Sequence, residues 1–223
     1  SPARQWRQRP QPTSGWMPTG VPSSRRPAAS WPGMRGGSAP LAALGVRGGD
    51  AALVVGAGPM GLLSTWALQA AGAIVAVAQR SVERRQLAAR LGADAAIALD
   101  QDPAAALGRA PSVAVVAAPG AEPLAWALAR VAVGGRVHAF AGTPGGAPVD
   151  ANLVHYRHLT LVGSTGSTVG DYRRARDLVA AGAVPLDRLP RDIVPLEEAP
   201  AALLGRDGRR ALKVTVDVEG ASR

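Results

Sequence analysis

Two apolar rhythms alternate along this chain. Short, nearly unbroken apolar runs are separated by longer stretches in which apolar positions recur every three or four residues. AALVV (51–55) predicts a buried strand, and PMGLLSTWALQAAG (59–72) a helix closed by Gly72. AIVAVA (73–78) is a second strand, VERRQLAARLG (82–92) a second helix, and ADAAIAL (93–99) a shorter strand. SVAVVAA (112–118) is a fourth strand, followed by a helix over AEPLAWALARV; GRVHAFAG (135–142) and LTLVGS (159–164) are the fifth and sixth. Strands that alternate with helices imply parallel βαβ units, and runs of Val, Ala and Ile fit strands covered on both faces. Right-handed crossovers then give a doubly wound sheet ordered 3-2-1-4-5-6. Beyond Ser164 the alternation stops. A helix (VGDYRRARDLVAAG), the segment DIVPLEEAPAALLG and a terminal strand, LKVTVDV, read as the chain returning toward a second domain. Without that partner they would expose strand edges and apolar surface.

The fold class is therefore α/β: a doubly wound parallel sheet of six strands, an incomplete second domain and a leader. The expected divisions are 1–40, 49–168 and 169–223. The leader stands apart in composition. Residues 1–40 carry eight of the prolines and three of the five tryptophans, with no Leu or Ile and one Val. Such a segment buries too little apolar area to offset its ordering entropy, so disorder is expected. Arginine interleaved with tryptophan also suits nucleic acid, and an acid-free, Arg- and Ser-rich segment suits a transit peptide. The near absence of large apolar residues argues against amphipathic order in either role.

Charge changes the picture only once it is located. The net charge is +9, yet residues 1–49 hold seven arginines and no acid, leaving the remainder at +2. The 223 residues include no cysteine, which excludes disulfides, thiolate metal sites and a cysteine nucleophile from this chain. No apolar run has the length of a membrane span, and a cytoplasmic protein is the expectation.

The first strand–helix turn carries the candidate chemistry. Gly56-Ala57-Gly58-Pro59-Met60-Gly61 is a G-x-G-x-x-G that follows a strand and opens a helix inside a βαβ unit. Gly56 allows the tight turn, Gly58 lets a pyrophosphate approach the backbone, and Gly61 lets helix and strand pack closely. Free N–H groups and the helix dipole favour phosphate there. The alternative is that these glycines only make a tight turn. At the end of the second strand, where an acid would hold the ribose of NAD, the chain has Gln79-Arg80-Ser81. Gln79 removes the repulsion of a 2′-phosphate, Arg80 supplies a fork-shaped cation, and Ser81 adds a hydroxyl. Arg84 and Arg85 follow on the same side of the first helical turn. The pattern predicts NADP over NAD, against the alternative that these are ordinary solvated arginines.

GDAALVVGAGPMGLL, SVERRQLAARLGADAAI, AVGGRVHAFAG and HYRHLTLVGSTGS, in this order, resemble the zinc-dependent medium-chain alcohol dehydrogenases. The resemblance spans about 41–218 and is closest to the polyol and threonine dehydrogenase branch. It implies a Rossmann domain and hydride transfer between a secondary alcohol or polyol and nicotinamide. It also implies that Val116, Ala117 and Ala118 line the adenosine side. Ala141, Gly142, Gly163 and Ser164 would hold the nicotinamide carboxamide, largely through backbone groups. Self-association through the sixth strand is a further family expectation.

The chain departs from the family where zinc is concerned. The Cys, His and acidic ligands of the catalytic zinc and the structural-zinc cysteines are not in this sequence, and Ser38-Ala39-Pro40-Leu41-Ala42 stands where the branch has a Glu before Pro-Leu-Ala. The expectation is the cofactor-binding half of a dehydrogenase, with no metal ligands and no assignable catalytic residue. A shifted reading frame upstream of about residue 38 would explain the leader, and reading the coding DNA in the other frames tests it. Other readings are a non-catalytic NADP-binding module, a zinc-independent quinone-type reductase, disfavoured by GAGPMG, and a methyltransferase, disfavoured by the sixth strand. His138 within the fifth strand reads as a space-filling or solvent-facing residue. His155 and His158 have a metal-compatible spacing but no third ligand and read as surface residues. Trp66 and Trp126 read as packing residues, and Tyr172, Arg173, Arg174 and Arg176 as the wet face of a helix.

Overall fold

A computed structural model describes residues 44–204 and 212–218, so the leader, 1–40, lies outside the described residues. The six predicted strands form: β1 (Ala51–Val55), β2 (Ile74–Ala78), β3 (Ala95–Ile97), β4 (Val113–Val116), β5 (Arg136–Ala139) and β6 (Thr160–Gly163). They make one sheet in the order β3-β2-β1-β4-β5-β6, all parallel. The predicted α/β doubly wound class is thus the observed one.

Alternation along each strand divides the core. Ala52 and Val54, Val75 and Val77, and Val113 and Val115 face one side. There they meet Leu62 and Trp66 of α1 (Pro59–Ala70) and Ala88 of α2 (Val82–Arg90). Leu53, Val55, Ala76, Ala78, Ala114 and Val116 face the other side, against Leu124, Ala127 and Leu128 of α4 (Ala121–Arg130). Successive strand residues point to opposite faces, so apolar runs without a polar beat are what a sheet covered twice requires. Trp66 is buried and donates its indole N–H to Leu91 O at 2.9 Å; Trp126 donates to Leu99 O at 2.8 Å. Both pack while satisfying their polar edge, as expected of packing residues.

Two short helices between strands of this sheet are not predicted by periodicity: α3 (Pro103–Leu107) and α5 (Ala151–Tyr156). Each is capped by an aspartate. Asp102 accepts from Ala104 N, and Asp150 from Asn152 N and Leu153 N.

After β6, α6 (Val169–Ala180) opens with a capping box in which Thr168 and Asp171 bond reciprocally. Of the four residues expected on its wet face, Tyr172, Arg173 and Arg176 are exposed and Arg174 is half-buried. Leu178, Val184, Leu189 and Leu212 turn back onto the α1–α2 face of the core. The returning segment forms its own parallel pair, β7 (Asp192–Pro195) with β8 (Val214–Asp217), linked through α7 (Ala199–Leu203). Val194 of β7 and Ala199 and Ala202 of α7 are buried, while Ile193, Leu203 and Val218 are exposed. No helix among the described residues is long and apolar enough to cross a membrane.

Candidate functional site

The C-terminal ends of β1, β2, β4, β5 and β6 share one edge of the sheet, and strand order reverses between β1 and β4. Open doubly wound sheets bind ligands at such a reversal. The glycine turn occupies it. Gly56 has φ 107°, and a Cβ there would lie 3.1 Å from the Cβ and N of Ala118. A Cβ on Gly61 would lie 1.8 Å from Gly56 O. These two glycines are demanded by packing alone. Gly58 differs: its backbone is extended (φ −79°, ψ 179°), and a Cβ would meet nothing within 4 Å. The fold leaves open space over Gly58, directly at the N-terminus of the 12-residue α1, where backbone N–H groups lack helical partners. Pro59 begins this helix, and Met60 is exposed beside the opening.

The end of β2 carries the predicted cationic group. Gln79 N–H bonds Ile97 O, and its side-chain oxygen accepts from Arg80 N at 2.7 Å. Ser81 caps α2, accepting from Arg84 N and donating to Glu83 at 2.6 Å. Arg85 reaches back and donates to the carbonyls of Gln79 (2.8 Å) and Arg80 (2.6 Å). Its guanidinium therefore braces the loop. The guanidinium of Arg80 is exposed, and no hydrogen bond or ion pair engages it among the described residues; Arg84 is exposed as well. Arg85→Ala is expected to lower stability by about 1 kcal/mol, the worth of the lost bonds, and to weaken any nucleotide bound there irrespective of its 2′ substituent. Thermal melts and paired nucleotide titrations check this.

Along the rest of the edge, Val116 is buried and its side chain belongs to the core, whereas Ala117 and Ala118 are half-buried at the surface. Val116 O accepts from both Phe140 N (3.1 Å) and Ala141 N (2.9 Å), which fixes the turn after β5 to the end of β4. Residues 139–142 and 163–165 line a depression of about 490 Å³. Ala141, Gly142, Gly163 and Ser164 are thus brought together; Ala139, Phe140 and Thr165 line it too and lie outside the sequence reading. The family resemblance signalled the first four, and nothing local marked the other three.

Of its two expected roles, His138 takes the space-filling one. It is wholly buried on β5, with Nε2 3.0 Å from Ser164 Oγ and Nδ1 without a partner. Burial pushes its pKa below the ordinary 6.5. The unfolded chain takes up this proton near pH 6.5, and the folded chain only at lower pH. The linked stability is complete above about pH 6.5 and declines as pH falls toward the folded-state value. His138→Gln is expected to flatten the melting temperature between pH 7 and 5 relative to the parent chain. His155 packs edge-on against Tyr156 at 4.8 Å, and His158 sits in a turn with φ 52°. Among the described residues no three His, Asp or Glu side chains are grouped to hold a metal ion.

The family model described as zinc-binding dehydrogenase matches residues 59–181. Among solved structures, the chain is similar to alcohol dehydrogenase TADH from Thermus sp. ATN1, with 29% identity and a TM-score of 0.67, covering 80% of this chain and 54% of that one. It is also similar to a protein from Sinorhizobium meliloti 1021 assigned to the zinc-binding dehydrogenases and bound to NADP, with 28% identity, TM-score 0.67 and coverage of 77% and 53%. A third is 2R,3R-butanediol dehydrogenase from Bacillus subtilis, with 25% identity, TM-score 0.67 and coverage of 77% and 52%. The chain spans about half the length of these structures. No curated protein matches it.

Proposed function

This chain belongs to the zinc-binding dehydrogenase family, and from that premise we propose that it is the cofactor-binding part of an NAD(P)-dependent alcohol dehydrogenase. The observation that carries the reading is the opening over Gly58, at the point where strand order reverses, beside the exposed guanidinium of Arg80.

In this reading the pyrophosphate lies over Gly58 against the free N–H groups at the start of α1. Gly56 and Gly61 hold the turn beneath it. Arg80, with Arg84 and Ser81 nearby, receives the 2′-phosphate, so NADP is preferred to NAD. Ala117 and Ala118 flank the adenosine, and the end of Val116 fixes the neighbouring turn. The depression between the ends of β5 and β6 takes the nicotinamide, with the backbone of Ala141, Gly142, Gly163 and the side chain of Ser164 facing its carboxamide. A nicotinamide held there would supply the hydride acceptor or donor of the reaction. The chain's own residues bind and orient it and keep one ring face against protein.

The substrate class is a secondary alcohol or polyol, and the setting is cytoplasmic. The chain divides into a nucleotide-binding domain over 49–168 and a return segment over 169–223, with self-association an additional property. Zinc does not fit the described residues, which offer no ligand set, so the role assigned to them ends at the cofactor. A second reading, a nucleotide-binding module without catalysis, makes the same cofactor contacts.

Fluorescence titration of the chain with NADPH and NADH side by side tests the proposal. Saturable binding with NADPH tighter supports it, and binding of neither nucleotide defeats it. Alcohol oxidation by the chain with added zinc would rule out the second reading.

A further inference from the structure

Thr65 and His138 are the buried polar residues among the described ones. Thr65 is satisfied, donating to Gly61 O at 2.9 Å. His138 is satisfied on one side only. In the sheet register it lies between Val115 and Val162, so its ring is walled by apolar side chains. Phe140 stands 6.0 Å away, tilted by 40°. The single polar contact of the imidazole is Nε2 to Ser164 Oγ, and Nδ1 meets neither partner nor solvent.

A neutral imidazole carries one N–H and one bare nitrogen. Two arrangements are open to the pair. With the proton on Nδ1, a buried N–H would be left without an acceptor, and Ser164 would spend its own hydrogen on Nε2. With the proton on Nε2, the orphan is a bare nitrogen, and Ser164 Oγ is the acceptor. Orphaned buried donors are the rarer of the two in folded proteins. The second arrangement also leaves the serine hydrogen unspent, at the rim of the depression between β5 and β6, where Ser164 is exposed.

We propose that His138 is a positioning residue: by donating Nε2–H to Ser164 Oγ it turns the serine hydroxyl hydrogen into the depression, to bond a carbonyl oxygen of the bound ligand. The inference rests on the dinucleotide reading above, in which that carbonyl is the carboxamide of nicotinamide. The opposite tautomer would present only lone pairs and would select a donor group instead. The imidazole thus sets the polarity of a site that it never touches.

Two measurements on the full chain test this. Nitrogen-15 spectra of the ligand-free protein report which ring nitrogen bears the proton, and His138→Gln identifies the relevant signals among the three histidines. Protonation at Nε2 is expected, and protonation at Nδ1 overturns the proposal. Affinities are then compared for NADPH with 2′-phospho-ADP-ribose, and for NADH with ADP-ribose, the second of each pair lacking nicotinamide. His138→Leu and Ser164→Ala are each expected to weaken the dinucleotide roughly fivefold, the share of one neutral hydrogen bond, and to leave the fragment within about twofold. His138→Gln, which keeps a donor at the position of Nε2, should recover most of that loss. Equal weakening of dinucleotide and fragment, or weakening of neither, overturns the role for His138. Failure of the parent chain to bind any of the four compounds would instead remove the cofactor reading and, with it, the ligand half of the proposal.

Discussion

Gly61→Ala is expected to unfold the protein at a markedly lower temperature, whereas Gly58→Ala is expected to leave folding intact and remove most nucleotide binding. The contrast follows from what each added methyl would meet. At position 61 the Cβ would sit 1.8 Å from Gly56 O, a backbone atom held by the bond from Gly56 N to Ala78 O. The helix must move away from β1, and overpacking of that kind costs on the order of 3 kcal/mol or more. For a chain of this size that lowers the melting temperature by roughly 6–12 °C. At position 58 the backbone is already extended and the Cβ meets nothing within 4 Å. Any loss of stability should stay within about 1 kcal/mol, because alanine is a poorer N-cap but restricts the unfolded chain. The methyl would instead stand where the proposed pyrophosphate would approach, and a loss of affinity of at least about tenfold is expected. Differential scanning calorimetry and nucleotide titration on the two variants check both halves. If Gly58→Ala binds NADPH and NADH as tightly as the parent, the opening over α1 is not the phosphate site.

Arg80→Ala is expected to erase the discrimination between NADPH and NADH. Hydrogen bonds to charged groups contribute about 1.5–3 kcal/mol, so NADPH affinity should fall roughly 10- to 100-fold, toward the lower figure at physiological salt because the site is exposed. NADH affinity should change by no more than about twofold, since it lacks the 2′-phosphate. Gln79→Asp should go further and invert the preference by setting a carboxylate against that phosphate. Opposing this, Glu83 already stands beside Ser81, 2.6 Å from its hydroxyl, and adds negative charge next to the proposed phosphate position. Equal losses for both nucleotides in Arg80→Ala would mean that the guanidinium serves the loop and not the phosphate. Arg85, which already serves the loop, provides the control.

The parts of this molecule visible in its sequence are those governed by short-range repetition. Unbroken Val and Ala runs announced a sheet covered on both faces, and the spacing of Gly56, Gly58 and Gly61 announced the turn. α3 and α5 escaped because five or six residues do not complete two helical turns, and only Asp102 and Asp150 marked their starts. The pairing of β7 with β8 escaped for another reason. LKVTVDV reads as a strand and DIVPL only as part of a returning segment; their register joins Asp192 to Val214 across an intervening helix, and no local period encodes a partner. The site divides in the same way. Gln79 and Arg80 were legible from their distance to the glycines. The bond between His138 and Ser164 spans 26 residues and needs the β5–β6 register to bring the two side chains together. The backward reach of Arg85 to two carbonyls was equally hidden, because sequence spacing places a side chain on a helix face without saying which way it bends.

One shared acceptor ties the mouth of the sheet into a unit. With Phe140 and Ala141 both anchored on Val116 O, the last residue of one central strand also steadies the bend that follows its neighbour. Loosening there would release both segments in a single event, so the end of β4 and the turn after β5 should soften together as temperature rises, and hydrogen exchange at the two amides should share one opening rate.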